Sequence, residues 1–166
     1  MRSPVVGVMG GAKVGDEITA MARELGELIA RRGWVLLNGG RNTGVMAASA
    51  RGAKNAGGTV IGILPDMSTR RASPDLDIAI VTGMGDGRNL INVLSSDVVI
   101  ACAGALGTMS EVVFAAKHGK PVILLGWTAW PQLEACCSKR RLLLAADPRQ
   151  AVEQAAAILE TAHAVP

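Results

Sequence analysis

The sequence predicts an α/β fold, a three-layer sandwich in which helices cover both faces of a mostly parallel sheet of about seven strands. Three observations carry this expectation. Short apolar runs alternate with segments of helical period along the whole chain. Their spacing is short, as in strand–helix–strand units that connect by right-handed crossovers into a parallel sheet. The composition is rich in Ala, Val, Leu, Ile and 20 Gly, with one Phe, three Trp and no Tyr, a mixture suited to close packing of helices on such a sheet. At 166 residues, 49% of them hydrophobic, the chain is expected to be a single ligand-binding domain spanning 1–166.

The elements follow in order. Residues 4–9 form a short apolar run that ends in Gly10-Gly11, a buried first strand. Over 16–32, Ile18, Met21, Ala22, Leu25, Leu28 and Ile29 recur at helical spacing, and Gly33 stops the helix. A second strand at 34–37 leads into a glycine turn at 38–44, a helix at 45–55 and a third strand at 59–64. The segment 65–74 has no apolar period and reads as the longest loop. A fourth strand at 77–81 precedes the turn 83–87, which opens a helix running through Leu94, with Asp86 as its expected cap. A fifth strand at 97–101, a turn at 104–107 and a helix at 108–118 come next, then a sixth strand at 121–125. A weaker strand at 142–144 and a helix at 148–163 close the chain.

Composition excludes several partners. The net charge is +3, and the short basic groups Lys139-Arg140-Arg141, Thr69-Arg70-Arg71 and Arg31-Arg32 read as solvated faces. Scarce aromatics argue against a single-stranded nucleic acid, which stacks its bases on aromatic platforms. A small phosphorylated ligand suits this balance better. Cys102, Cys136 and Cys137 contain no CxxC pair, and His118 and His163 stand at no zinc-ligand spacing, so no metal is expected to be held directly by side chains. Cys102 reads as a small core residue. The absence of a secretory pattern or a membrane-length apolar stretch predicts a soluble, cytoplasmic protein without a membrane partner.

The glycines collect where strands turn into helices, the end of a parallel sheet at which ligands bind. Four turns stand out: 9–15 with Gly10 and Gly11, 38–46 with Gly39, Gly40, Arg41 and Gly44, 83–89 with Arg88 and Asn89, and 103–111 with Gly104, Gly107, Thr108 and Glu111. Glycine lets the backbone approach an anion, and the following helix presents free N–H groups and partial positive charge. Thr108 is placed to cap its helix or to give its hydroxyl to a phosphate oxygen. Arg41 and Arg88, at helix starts, oppose the dipole unless an anion is near. Glu111, one turn into its helix, favours the dipole. Lys13, in the first turn, is placed either to steer an anion or to stand as a solvated lysine. Trp127 and Trp130 are candidates to wall the pocket or to pack the last helix. The apolar face Val112, Val113, Ala115 and Ala116 suits core and an oligomer surface alike. There is no Gly-Lys-Ser/Thr phosphate loop and no Gly-x-Gly-x-x-Gly after the first strand, which argues against ATP motor and NAD chemistry.

Asn38-Gly-Gly-Arg-Asn-Thr-Gly-Val-Met46, followed by Arg51-Gly52-Ala53, resembles the first motif of the LOG-like (SLOG) Rossmann superfamily, a Gly-Gly turn leading to Gly-Val/Leu-Met. Ala103-Gly-Ala-Leu-Gly-Thr-Met-Ser-Glu111, then Gly119-Lys-Pro-Val122, resembles the second, Pro-Gly-Gly-x-Gly-Thr-x-x-Glu. The resemblance runs from the first strand to about Gly126 and implies a Rossmann-like fold and a homo-oligomer, a dimer or tetramer. The superfamily includes LOG-type phosphoribohydrolases and molybdenum cofactor carrier proteins. The chain departs from the LOG pattern at Ala103-Gly104-Ala105 for Pro-Gly-Gly, at Asn89 for Lys and at Arg41 for Gly, which brings it nearer the carriers. The resemblance therefore implies binding, protection and delivery of the molybdenum cofactor without catalysis, with molybdoenzymes or cofactor-synthesis proteins as partners. Gly10, Gly11, Gly39, Gly40, Arg41, Gly44, Arg88, Asn89, Gly104, Gly107, Thr108 and Glu111 would hold it. The alternative is hydrolysis of a nucleoside 5′-monophosphate to base and ribose 5-phosphate, with Arg88 and Glu111 catalytic. In either reading Thr108 and its neighbouring glycines are the expected phosphate anchor.

Overall fold

Alternation inside the strands decides the layers. In the computed structural model, which describes residues 2–128, 130–136 and 141–163, the strands are β1 (Val5–Met9), β2 (Val35–Asn38), β3 (Val60–Leu64), β4 (Ile78–Val81), β5 (Val98–Cys102), β6 (Val122–Leu125) and β7 (Leu142–Ala145). The helices are α1 (Asp16–Arg31), α2 (Gly44–Asn55), α3 (Arg88–Leu94), α4 (Leu106–Lys117), α5 (Pro131–Cys136) and α6 (Pro148–His163). Along β5, Val98, Ile100 and Cys102 join Leu25, Val45 and Ala151 in one core, while Val99 and Ala101 join Val93, Val112 and Leu133 in the other. A period of two thus sends α1, α2 and α6 to one face of the sheet and α3, α4 and α5 to the opposite face. Cys137, Lys139 and Arg140 lie outside the described residues.

All seven strands pair in parallel, in the order β4-β3-β2-β1-β5-β6-β7. The chain winds outward from β1 to β4, returns to place β5 beside β1, and winds outward again. The reversal falls between β1 and β5, where the diverging connections leave a crevice at the carboxyl ends of the strands. Their register puts Met9 beside Ala101, so the turns after β1 and β5 leave the sheet at the same level.

Three local expectations differ from the structure. Helix α4 begins at Leu106, with Ala105 extended at φ −94°, ψ −164° before it and no side-chain cap; Gly107 and Thr108 lie in its first turn rather than ahead of it. Asp86 does not cap α3, because a short 3₁₀ turn, Gly85–Gly87, runs straight into the helix and the Arg88 N–H is taken by the Asp86 and Gly85 carbonyls. Helix α5 was not anticipated. It starts on Pro131, a residue preorganised for the first helical position, and the N–H groups of Leu133 and Glu134 donate to the Trp130 carbonyl. No helix among the described residues is long and apolar enough to cross a membrane.

Candidate functional site

A cleft of about 180 Å³ opens at the β1/β5 reversal. The turn after β1 contributes Gly10, Gly11 and Ala12, and the turn after β2 contributes Gly39 and Arg41. Asp86, Arg88 and Asn89 line it from the start of α3, and Ala105, Gly107, Thr108 and Glu111 from the start of α4; Val8, Met9 and Met46 complete it. Nine of the twelve expected ligand-holding residues meet there. Gly40, Gly44 and Gly104 stand behind the lining.

Those three shape the cleft through backbone geometry. Gly44 has φ +51°, and a Cβ on it would collide with the Gly11 carbonyl oxygen, which accepts a 3.0 Å bond from the Val45 N–H. Only glycine lets the β2 turn lie directly on the β1 turn. A Cβ on Gly104 would collide with Thr108 Oγ1 and sit 3.0 Å from the Gly11 nitrogen, and one on Gly40 would press on Gly62 and Leu64. Gly107 is different: a Cβ there meets nothing within 4 Å, so its small size leaves open cleft.

The charged residues are held in distinct ways. Arg41 finds its anion inside the protein, with Nε donating to Asp66 Oδ2 at 2.9 Å and Nη2 to Oδ1 at 2.8 Å. The Arg41 hydrogen bond holds the Asp66 carboxyl below its usual range. Arg88 donates from Nη1 to the Gly39 carbonyl at 2.5 Å and to the Ile63 carbonyl at 2.7 Å, and from Nε to Asn89 Oδ1 at 3.0 Å. Burial lowers its pKa, but a guanidinium remains a cation. Its Nη2 has no protein partner among the described residues and is the donor left for a ligand. Asn89 Nδ2 in turn donates to Ser110 Oγ at 3.1 Å, and Ser110 Oγ to the Gly107 carbonyl at 2.7 Å, which ties α3 to the first turn of α4.

Glu111 is 6% exposed. Burial pushes its carboxyl up to about 7, against the opposing pull of a hydrogen bond from Asn92 and the charge of Arg88. Asn92 Nδ2 donates to Oε1 at 2.9 Å. Thr108 is 3% exposed and lines the cleft; its hydroxyl caps nothing and has no protein partner among the described residues.

Two supporting residues escaped sequence reasoning. Asn92 interrupts the apolar run Leu90-Ile91-Asn92-Val93-Leu94, a polar residue where helical packing calls for an apolar one, and that was the available signal. Asn38 ends β2 fully buried; its Nδ2 donates to the Met46 carbonyl at 2.9 Å and Ser49 Oγ at 3.1 Å, and its Oδ1 accepts from the Gly40 N–H at 2.8 Å. It folds the glycine turn back onto α2.

Other candidates lie elsewhere. Trp127 and Trp130 stack at 5.9 Å between centroids and pack in the α3–α4–α5 core rather than against the cleft or the last helix. The Trp127 indole N–H donates to the Ala101 carbonyl at 2.9 Å. Cys102 is core, its thiol pushed up to about 12 by burial. Lys13, with Asn42, Thr43, Gly44 and Arg51, lines an adjoining groove of about 630 Å³ that shares Ala12 with the cleft. Among the described residues no group of three or more His, Cys, Asp or Glu is arranged to hold a metal ion. The cleft therefore offers backbone and side-chain donors around one buried acid, a set matched to anionic oxygens.

Comparison with known proteins shows the family and the likeness of the whole fold. The model of the SLOG cluster4 family matches residues 3–152. The molybdenum cofactor binding protein of Rippkaea orientalis is 50% identical and superposes with a TM-score of 0.91, covering 96% of this chain and 99% of that one. The molybdenum cofactor carrier protein of Chlamydomonas reinhardtii is 43% identical, with a TM-score of 0.86 and the same coverage. The cytokinin riboside 5′-monophosphate phosphoribohydrolase of Mycobacterium tuberculosis is 34% identical over 117 residues, 66% of this chain and 63% of the enzyme.

Proposed function

This chain belongs to the SLOG cluster4 family, and we propose that it binds, protects and delivers the molybdenum cofactor without catalysing a reaction. The observation that carries this reading is the cleft at the sheet's reversal, where the donors unengaged among the described residues are the Arg88 Nη2, the Thr108 hydroxyl and glycine-turn N–H groups. Its support is the likeness to two cofactor-binding and carrier proteins over nearly the whole chain. The cofactor is a pterin with a terminal phosphate and an oxo-molybdenum group on a dithiolene. Its sulfurs already hold the metal, so a site without a protein ligand cluster fits it. Thr108, Gly107 and the free end of Arg88 would hold one anionic end. Ligand pockets usually measure roughly 300–1,000 Å³, so the remainder would extend past Ala12 into the groove beside Lys13.

Delivery implies molybdoenzymes or cofactor-synthesis proteins as partners in the cytoplasm. A homo-oligomer, dimer or tetramer, would use the exposed α4 residues Leu106 and Val113. Purified protein should bind the cofactor saturably, slow its oxidation and pass it to an apo-molybdoenzyme. Absence of saturable binding and of protection would sink this reading.

A second reading has its own observation. Arg88 and Glu111 line one cleft, and an acid titrating near 7 is tuned for proton transfer at neutral pH. Hydrolysis of a nucleoside 5′-monophosphate would place its phosphate at Thr108 and its ribose at Glu111. Release of adenine from AMP that vanishes in Glu111→Ala would support it, and binding without turnover favours the carrier.

A further inference from the structure

We propose, building on the reading of this cleft as the carrier's anion site, that it captures its anion together with a proton, and that Glu111 is the group that takes the proton up.

The surroundings of the carboxyl carry the inference. Glu111 Oε1 is engaged by Asn92, and its other oxygen has no protein partner among the described residues, on a residue that lines the cleft. The charged and polar groups that share the cleft with it are Arg88 and Asn89 on α3, Asp86 just before α3, Arg41 in the β2 turn and Thr108 on α4. Only Arg41 and Arg88 are cations. Arg41 is committed to Asp66, and Arg88 directs three bonds to neutral acceptors. Neither forms an ion pair with Glu111. An ionised, buried Glu111 would thus share a small cleft with an anionic ligand, with no cation paired to it, and like charges so placed favour neutralising one of them. The protonated carboxyl does the opposite, because it gains an O–H that can donate to a ligand oxygen. Burial already brings this group to the edge of protonation near neutral pH.

Asn92 fits both states. It is fully buried, and its Oδ1 has no partner. An amide turned through half a revolution exchanges oxygen for nitrogen at nearly unchanged positions. The same contact can donate to a carboxylate or accept from a carboxylic acid, so the acid form needs no rearrangement of α3 against α4.

Calorimetric titration with inorganic molybdate, which stays a dianion through neutral and mildly basic pH, tests this. Titrations in two buffers of different ionisation enthalpy count the protons. At about pH 8.5 close to one proton should be taken up per anion, and affinity should fall about tenfold per pH unit above about pH 8. Glu111→Gln should abolish the proton uptake and flatten the profile, so that at about pH 9 it binds more tightly than the parent. No proton uptake by the parent, or an unchanged slope in Glu111→Gln, overturns the assignment. The parent alone decides the matter if the variant does not fold. Repeating the titration with the molybdenum cofactor separates the two ideas. Cofactor bound without proton uptake leaves the carrier and removes the proton, whereas molybdate bound with a proton and cofactor not bound at all does the reverse. If neither binds at any pH, both fall.

Discussion

The turns after β2 and β5 both combine glycines, a threonine and one charged residue, yet their charged and polar groups are held differently. In the β2 turn Asn38 and Arg41 are engaged within the protein, while Asn42 and Thr43 face the adjoining groove. Arg41 grips Asp66, Asn38 makes three hydrogen bonds, and Gly40 and Gly44 sit at positive φ against the backbone of β3 and of the β1 turn. In the β5 turn Gly107 faces open space, and among the described residues the Thr108 hydroxyl has no partner and Glu111 holds a single hydrogen bond, from Asn92. Glycines and charges in a turn do not distinguish a scaffold from a binding surface. What distinguishes them is whether the donors and acceptors are already satisfied, because an engaged group must break a bond before it can take a ligand.

Substitutions should separate the two turns. The largest effect is expected in the scaffold turn. Gly44→Val forces a β-branched residue into the left-handed region and into the Gly11 carbonyl, at a cost of about 4 kcal/mol. Urea unfolding should show it, with ligand binding lost only because the fold is lost.

Glu111→Gln should act in the other direction. The carboxyl's ordinary value is 4.5, and in the fold it is pushed up to about 7. Its folded pKa is raised, so its contribution to stability is present below the unfolded value and lost as pH rises through the folded one. Between about pH 4.5 and about pH 7 the parent should lose about 3 kcal/mol through this group, a loss the variant avoids. The variant should therefore melt higher than the parent at about pH 8, and equal melting temperatures would place the carboxyl in a wetter site than its burial indicates.

In the open turn, Gly107→Val should leave stability within about 1 kcal/mol, since a Cβ there meets no protein atom within 4 Å. It should weaken ligand binding by more than about 2 kcal/mol by filling the cleft. A folded variant that binds as tightly as the parent would move the anchor, with the Gly39-Gly40 turn next in line. Arg88→Ala should cost about 1.5–3 kcal/mol in anion affinity if one charge-assisted bond is lost. It also leaves the buried Gly39 and Ile63 carbonyls without a donor, so stability must be measured beside affinity. The smallest effect belongs to Arg41→Ala. Its pair with Asp66 is partly solvated and its charge already spoken for, so affinity should change by less than about 1 kcal/mol. A loss as large as that of Arg88→Ala would show that Arg41 leaves Asp66 to meet the ligand.

Much of the architecture was legible because it rests on local patterns. The period of two in β5 and the period near 3.6 in α1 need no knowledge of partners, and each strand fell within a residue or two of its expected place. Helix starts were less legible. Ala105 and Gly87 precede α4 and α3 without a side-chain cap, so the cue that sequence reading relies on is missing, and a 3₁₀ turn did Asp86's expected work. Helix α5 buries only Leu133 and leaves almost no periodic trace. At the site, residue types pointed to the glycines, Arg88 and Glu111, whereas Asn92 was hidden inside an apolar run.

The sequence by itself determined the alternation of strands and helices, the glycine-rich turns at the carboxyl ends of the strands and the family motifs that bracket them. Those features depend on local backbone freedom and on side-chain period, which are properties of a short stretch of chain. Only the tertiary structure decided which turns meet. The return of the chain to lay β5 against β1 brought the starts of α3 and α4 to the β1 and β2 turns, and the parallel pairing of β3 with β2 placed Asp66, twenty-five residues beyond Arg41, in front of its guanidinium. Whether a charged or polar group is spent or free depends on neighbours remote in sequence, through burial and hydrogen-bond geometry, and no window along the chain contains that information.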